Sequence, residues 1–164
     1  MARLREMLHE AWILTRPYWF SEDRWAGRGL LAVVVGINLA IVYINVLLNQ
    51  WNNTFYNALQ DKDLAVFWSQ LLRFTWLAAL FIVAAVYQTY LNQMLQIRWR
   101  RWLTDRYLRA WLADGSYYRM QLTAGDTDNP DQRIAEDLRL FVGGTLTLAI
   151  GGMRAVVTLL SFLG

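Results

Sequence analysis

The chain has 164 residues, of which 56% are hydrophobic and 15% aromatic, and its formal net charge is +3. Its mean hydropathy of +0.20 is too high for an ordinary soluble domain of this length and is typical of a membrane protein. The sequence contains no cysteine, which excludes disulfides, zinc–thiolate sites and thiol nucleophiles.

Residues 1–28 mix arginines and carboxylates with apolar residues at helical spacing, such as Leu4, Leu8 and Ala11. They contain no continuous apolar core, so a signal peptide is not expected here. We predict an interfacial helix that Pro17 ends, with a soluble amphipathic helix on a protein core as the alternative. An aromatic cluster suited to the headgroup region of a bilayer follows it: Tyr18, Trp19, Phe20 and Trp25.

Two charge-free segments predict membrane spans. As a helix, residues 29–48 would cover roughly 30 Å, and residues 74–97 would cover roughly 36 Å. Asn38 and Asn45 lie on one face of the first span, where a role in helix packing is favoured over a water-filled path. The segment between the spans, residues 49–63, is rich in Asn and Gln and predicts an extramembrane loop.

The second span continues into a basic segment that keeps a helical pattern. Apolar residues are interleaved with its arginines and predict a helix that leaves the bilayer but stays packed on protein: Trp99, Trp102, Leu103, Leu108, Trp111 and Leu112. Arginines crowd residues 1–28 and 98–119, whereas Lys62 and Arg73 are the basic residues between the first two spans. This distribution predicts a cytoplasmic N-terminus, and it explains the arginines more simply than nucleic-acid binding does.

Residues 129–137 predict the start of a helix. Asn129 is a preferred N-cap, Pro130 suits the first helical position, and Asp131 complements the helix dipole. Gln132 can reach back to the cap backbone. Arg133 faces Glu136 and Asp137 three and four positions on, and Gly125 marks the tight connection that precedes the helix.

The helix that starts there is predicted to run to the end of the sequence, with residues 142–164 as a third, truncated span. A ridge of small residues repeats every four positions and would let another helix approach closely: Gly143, Thr147, Gly151 and Ala155. Arg154 is tolerable in this helix if the bilayer begins near it. Residues 155–164 would then cover roughly 15 Å, half a bilayer, so we expect a piece of a longer protein.

No catalytic or metal site is predicted. The one lysine, Lys62, lies between two aspartates rather than after a glycine, so no P-loop is present. His9 is the only histidine, which excludes H-E-x-x-H zinc sites, and Ser116 lacks the rest of a nucleophile elbow. Helix capping explains the remaining carboxylate cluster better than metal binding does: Asp126, Asp128, Asp131, Glu136 and Asp137.

Three segments carry a family resemblance: LNQWNNTFYNALQ at 48–60, IRWRRWLTDRYLRAWLADGSYYRMQL at 97–122, and DTDNPDQRIAEDL at 126–138. They resemble bacterial inner-membrane ABC transporters of the YddA type, which are similar to the class D half-transporters and to the SbmA/BacA peptide transporters. The resemblance implies an all-α membrane protein, the first half of an ABC exporter-type transmembrane domain. Six spans per subunit and a homodimer are expected, with ATP and Mg in a nucleotide-binding domain that this sequence lacks.

In that picture residues 1–28 form an elbow helix and residues 29–164 a partial transmembrane domain, whose loop 98–139 lies in the cytosol. The implied coupling residues, which would rest on the nucleotide-binding domain or begin the return helix, are Tyr117, Tyr118, Gly125, Asn129, Pro130, Asp131, Gln132, Arg133, Glu136 and Asp137. We expect a multi-pass permease in the bacterial inner membrane for a peptide-, cobalamin- or acyl-type substrate.

The alternative is a proton-driven importer of the SbmA/BacA kind without an ATPase. Residues 29–60 and 74–97 contain no carboxylate to relay protons, which favours the ATP-driven permease. A membrane anchor without transport has no sequence feature of its own to support it.

Overall fold

The computed structural model describes residues 2–113 and 130–163 of the chain. They form four α-helices: α1, Ala2–Trp19; α2, Arg24–Gln60; α3, Leu64–Ala113; and α4, Pro130–Leu163. No strand occurs in these two stretches, so the predicted all-α class is confirmed. Three of the helices are long and apolar enough to cross a membrane, as the sequence predicts: Arg24–Gln60, Leu64–Ala110 and Gln132–Phe162. The exact limits of the spans stay predictions.

The predicted loop at residues 49–63 is wrong as secondary structure, because α2 stays helical to Gln60. Asparagine disfavours a helix interior, but here packing outweighs propensity. Trp51 Nε1 donates a hydrogen bond of 2.8 Å to the carbonyl of Gln70 in α3, and the Trp51 ring lies 4.7 Å from that of Phe74. Phe55 lies 5.4 Å from Phe67 in the same way. These contacts hold the end of α2 against the start of α3.

The connection from α2 to α3 needs only Asp61, Lys62 and Asp63. Lys62 adopts a left-handed backbone with φ of 54°, and the amide of Asp63 donates to the carbonyl of Ala58 at 3.0 Å, as in a Schellman helix end. Asp63 then caps α3, because its Oδ1 accepts from the amides of Ala65 at 3.0 Å and Val66 at 3.1 Å. Asp63 thus takes part in the C-terminal end of α2 and caps the N-terminus of α3.

The prediction that Pro17 ends α1 is wrong by two residues, since the helix runs to Trp19. A proline removes one backbone donor, and so close to a helix end only one intrahelical bond is lost. The chain then tightens, with the amides of Phe20 and Ser21 donating to the carbonyls of Pro17 at 3.3 Å and Tyr18 at 3.2 Å. The Ser21 hydroxyl donates to the same Tyr18 carbonyl at 2.7 Å.

The described residues fall into two compact units. Those within Met1–Leu31 and Met94–Leu146 form unit 1, and those within Ala32–Gln93 and Thr147–Gly164 form unit 2. The buried residues of unit 1 recur every four positions on α3 and on α4, which gives each helix one packed face: Leu95, Trp99, Leu103, Leu138, Val142 and Leu146, with Tyr18 of α1 among them. Unit 2 buries Val34, Asn38, Ile41, Val42, Ile44, Ala58 and Leu77.

Candidate functional site

The predicted coupling residues lie partly within the described chain. Pro130 is the first residue of α4, and the helix continues through Asp131, Gln132 and Arg133. Four of the predicted residues lie outside the described residues: Tyr117, Tyr118, Gly125 and Asn129. Their roles, and the capping of α4 by Asn129, stay predictions.

The polar face of α4 forms its ion pair within the helix. Arg139 binds Glu136 through two nitrogens, with Nε donating to Oε2 at 3.2 Å and the second nitrogen donating to Oε1. Both side chains are more than half exposed, so the pair contributes little to stability. Its use is local, because it supports the second turn of α4 at a spacing of three residues.

The inner face of the same turns lines a small groove in unit 1. Ile134, Asp137 and Leu138 of α4 face Leu103 and Tyr107 of α3 across it, with Leu14 of α1 and Phe141 of α4 completing the lining. Its volume of about 270 Å³ lies below the range of small-molecule sites, about 300–1,000 Å³. The groove is therefore a packing seam that joins the start of α4 to the end of α3.

Unit 1 also contains an aromatic cluster, which shares Phe141 with this seam and consists of Tyr18, Trp19, Trp99, Trp102 and Phe141. Tyr18 and Trp99 are fully buried and stack at 5.6 Å, with 18° between their planes. Trp102 meets Tyr18 edge-on at 5.6 Å, and Phe141 meets Trp99 edge-on at 6.1 Å. The cluster therefore ties α1, α3 and α4 together within unit 1, and it confirms the predicted packing on protein for Trp99, Trp102 and Leu103. The side chains of Trp111 and Leu112 lie outside the described ones, so their packing stays a prediction.

The sequence assigned Tyr18 to the headgroup region, and this is wrong. Tyr18 is 0% exposed, whereas Phe20 is 63% and Trp25 is 74% exposed, as the headgroup prediction requires of them. Tyr18 differs because it lies against Gly27 of α2, where an added Cβ would come within 2.9 Å of the Tyr18 hydroxyl. A glycine inside a helical pattern is the one sequence signal that could have pointed to this contact.

Two polar atoms of the cluster are buried without a partner among the described residues: the Tyr18 hydroxyl and Trp99 Nε1. Burial raises the pKa of Tyr18 most, and the negative charge of Asp23 raises it further. Arg98, which lies 3.7 Å from Asp23, lowers this pKa to a smaller extent. The folded pKa lies above that of unfolded tyrosine. The buried neutral phenol is therefore favoured below the unfolded pKa of 10.0, and this contribution is lost as the pH rises through the raised folded value.

In unit 2 the predicted packing role of Asn38 is confirmed. Its side chain is 2% exposed, and its Nδ2 donates to the carbonyl of Val34 at 2.8 Å. Gln88 of α3 donates from Nε2 to Asn38 Oδ1 at 2.6 Å. Such an amide pair between charge-free stretches of two helices stabilises their association by about 0.6 kcal/mol, at most about 1.7.

The predicted small-residue ridge of α4 is open in this chain. Thr147, Gly151 and Ala155 are exposed, Gly143 is half-buried, and a Cβ added at either glycine would meet nothing within 4 Å. The helix-packing role of the ridge stays a prediction. Arg154, on the same side of α4, is exposed and has no carboxylate partner among the described residues.

Comparison with known proteins places these features in context. The chain matches the family model described as ABC transporter transmembrane region 2 over residues 14–163. It is 39% identical over 161 residues to the inner membrane ABC transporter ATP-binding protein YddA of Escherichia coli (strain K12), which is 97% of this chain and 29% of that protein.

Two plant and animal proteins are also similar. ABC transporter D family member 2, chloroplastic, of Arabidopsis thaliana is 35% identical over 98% of this chain and 23% of its own length. The lysosomal cobalamin transporter ABCD4 of Homo sapiens is 28% identical over 76% of this chain and 20% of its own length. The chain thus spans less than a third of the length of these relatives, and no solved structure matches it significantly.

Proposed function

The chain belongs to the ABC transporter transmembrane region 2 family, and from that membership we propose that it forms the first half of the permease of an ATP-driven transporter. In this role its helices pass movement between a cytosolic ATPase domain and the membrane spans. The nucleotide-binding domain, a second copy of the subunit, and a location in a bacterial inner membrane with the N-terminus in the cytoplasm are parts of the same proposal.

One observation carries the proposal: α3 is a single unbroken helix of 50 residues. At a rise of about 1.5 Å per residue it is about 75 Å long, more than twice the thickness of a bilayer core. Residues 74–97 supply a charge-free span, and the basic residues from Arg98 onward continue the same helix. A continuous helix that leaves the span would carry displacement at its cytosolic end toward the membrane, which alternating access requires.

The seam in unit 1 supports a coupling role for the start of α4. Ile134 and Leu138 pack against the α3 extension, so the two helices would move together when the connection between them is pushed. Within unit 2, the Gln88–Asn38 hydrogen bond would hold α2 and α3 together during that movement. Differential binding of ATP to two arrangements of the ATPase domain would drive the change.

ATP and Mg would be held outside this chain. Lys62, the one lysine, lies in the turn between α2 and α3 with an aspartate on each side, and no glycine-rich loop precedes it. Among the described residues no group of three His, Asp or Glu side chains is arranged to hold a metal ion. The residues present do not fit a nucleotide site, so this chain alone should hydrolyse no ATP.

A proton-driven importer without an ATPase is less well supported. Residues 29–60 and 74–97 contain no acidic side chain, and the E. coli relative is named an ATP-binding protein. The substrate class stays as broad as peptide, cobalamin or acyl compound; cobalamin is the substrate in the name of the human relative. Arg154 of α4 lies where the bilayer is expected to begin, so we expect it to face a polar partner rather than lipid, because an unpaired charge near lipid is costly.

The coupling proposal can be tested in a chimera in which this chain replaces the matching 161 residues of the E. coli relative. Replacing Asn129 with alanine should remove the helix cap, at about 1 kcal/mol of local stability, and lower the ATPase rate by up to about fivefold. The KM for ATP should not change, because the nucleotide is bound in another domain.

Asn57→Ala is the matched control, since Asn57 is exposed on α2 far along the chain from the cap. An Asn129→Ala chimera whose rate equals that of the control would remove the coupling role. The permease proposal itself would be contradicted by a version of the E. coli relative that lacks the segment, still folds, and has the same ATPase rate as the chimera.

The orientation is tested by cysteine labelling, because the chain has no natural cysteine. Asp61→Cys should react with a membrane-impermeant maleimide from the periplasmic side, and Arg106→Cys from the cytoplasmic side. Both positions are exposed, and Asp61 is preferable to Lys62 because Lys62 has a positive φ. Labelling of Asp61→Cys from the cytoplasmic side alone would reverse the assignment.

A further inference from the structure

The exposed side of α1 and the start of α2 bring two cations to one aromatic ring. The guanidinium carbon of Arg16 lies 5.8 Å from the centroid of the Phe20 ring, and that of Arg28 lies 5.1 Å from it. The two positive charges are thus at most about 11 Å apart, since both distances end at the same ring. Like charges around one ring repel each other weakly, and an anion bound beside them would be attracted by both.

The protein does not supply that anion from the described residues. Neither Arg16 nor Arg28 has a carboxylate partner among them. Asp23, the acid closest in sequence to Phe20 after Glu22, is engaged by Arg98 at 3.7 Å, and Glu22 is exposed without an ion pair in the described stretches. Arg28 is held in place instead by its Nε, which donates to the carbonyl of Trp19 at 3.1 Å.

We propose that Arg16, Phe20 and Arg28 form a binding site for the headgroup of an anionic phospholipid. The position of Arg28 argues for a lipid rather than a free anion, because the charge-free stretch of α2 begins at the next residue, Gly29. A guanidinium at the end of an apolar span lies where lipid phosphates lie. The proposal needs the chain to be in a membrane, but it does not depend on transport.

The surroundings of the site fit a bilayer surface. Trp12, Phe20 and Trp25 are 59%, 63% and 74% exposed, which a soluble anion site would not need. Aromatic rings beside arginines on an exposed helix are typical of segments that lie in the interface, with the rings among the upper acyl chains. A lipid phosphate beside the ring would accept charge-assisted hydrogen bonds of about 2.7–2.9 Å from a guanidinium and would be attracted by the charge of the other.

The test compares lipids retained by the purified chain in detergent, counted by native mass spectrometry after addition of equal amounts of phosphatidylglycerol and phosphatidylcholine. The unchanged chain should retain phosphatidylglycerol preferentially, and removal of each arginine should lower that preference by about fivefold. The variant is Arg16→Gln with Arg28→Gln. The matched control is Lys62→Gln with Arg73→Gln, which removes the same charge from the turn after α2 and from the first half of α3. This control should leave the preference unchanged.

Equal preference in the variant and the control would overturn the proposal, since bulk charge alone would then explain binding. Inorganic phosphate is added in a separate arm, and displacement of the lipid by millimolar phosphate would make the site one for a free anion. If the double variant fails to fold, Arg16→Gln alone decides the question, because Arg16 has no hydrogen bond within residues 2–113 and 130–163 that the change would break. Phe20→Leu should lower the preference less than either arginine change.

Discussion

Replacing Tyr18 with alanine should lower the free energy of unfolding of the chain in detergent by about 3–5 kcal/mol. Tyr18 is fully buried, stacks on Trp99, and meets Trp19 and Trp102 edge-on at 5.0 and 5.6 Å. Removing the ring leaves a cavity that none of the three indoles can fill while keeping its other contacts. The measurement is denaturant-induced or thermal unfolding followed by tryptophan fluorescence.

The hydroxyl of Tyr18 is expected to contribute much less than the ring. It is buried and has no hydrogen-bond partner among the described residues, so Tyr18→Phe removes a group whose desolvation is uncompensated. We expect the free energy of unfolding of Tyr18→Phe to stay within about 1 kcal/mol of the unchanged chain, or to rise. Tyr43→Ala is the control for losing a tyrosine, since Tyr43 is 64% exposed.

The two Tyr18 variants together decide between a packing role and a polar one. If Tyr18→Phe destabilised the chain as much as Tyr18→Ala, the hydroxyl would have a partner that contributes most of the stability, and the aromatic cluster would be secondary. If Tyr43→Ala were as destabilising as Tyr18→Ala, burial would not be the cause of the loss.

The spans, the extension of α3 and the start of α4 could be predicted from the sequence, because each depends on a local pattern of residues. Charge-free stretches of bilayer length predict spans, and arginines interleaved with Trp99 and Leu103 predict a helix that continues on protein; the structure has α3 unbroken from Leu64 to Ala113. Pro130 is the first residue of α4, at the position where proline is best tolerated. Each of these follows from the local sequence and needs no knowledge of the partner helix.

The errors occur where contacts distant in sequence override local preference. Residues 49–60 have a loop-like composition, and they are helical because Trp51 bonds to Gln70, nineteen residues away. Tyr18 is an aromatic residue of the same short segment as the exposed Phe20, and it is buried because it packs against Trp99 and Gly27. The Arg16–Phe20–Arg28 site was missed for the same reason, since Arg28 reaches Phe20 only through the turn between α1 and α2.

Adding a side chain at Gly27 is expected to destabilise the fold. A Cβ at this position would lie 2.9 Å from the Tyr18 hydroxyl and 3.1 Å from two ring carbons of Tyr18. The Tyr18 side chain cannot move away from the added methyl group, because its ring is buried and stacked on Trp99. We expect Gly27→Ala to lower the free energy of unfolding by about 1–3 kcal/mol, the usual cost of overpacking.

Gly29→Ala provides the matched control two residues further along α2. A Cβ at Gly29 would meet nothing within 4 Å, and alanine is favoured over glycine in a helix by about 1 kcal/mol, so this variant should be neutral or more stable. Opposite shifts in melting temperature for the two glycine variants would therefore attribute the loss at Gly27 to the contact with Tyr18. Shifts in the same direction would refute that contact as the cause.

Combining Gly27→Ala with Tyr18→Phe separates the contact with the Tyr18 hydroxyl from the contact with the Tyr18 ring carbons. The phenylalanine lacks the hydroxyl that lies closest to the new methyl group, but its ring keeps the two carbons at 3.1 Å. Part of the destabilisation by Gly27→Ala should therefore be recovered, giving a coupling energy of about 0.5–3 kcal/mol in the double-mutant cycle. Strict additivity would mean that the hydroxyl does not press on α2, and that Gly27 is needed for some other approach to the helix.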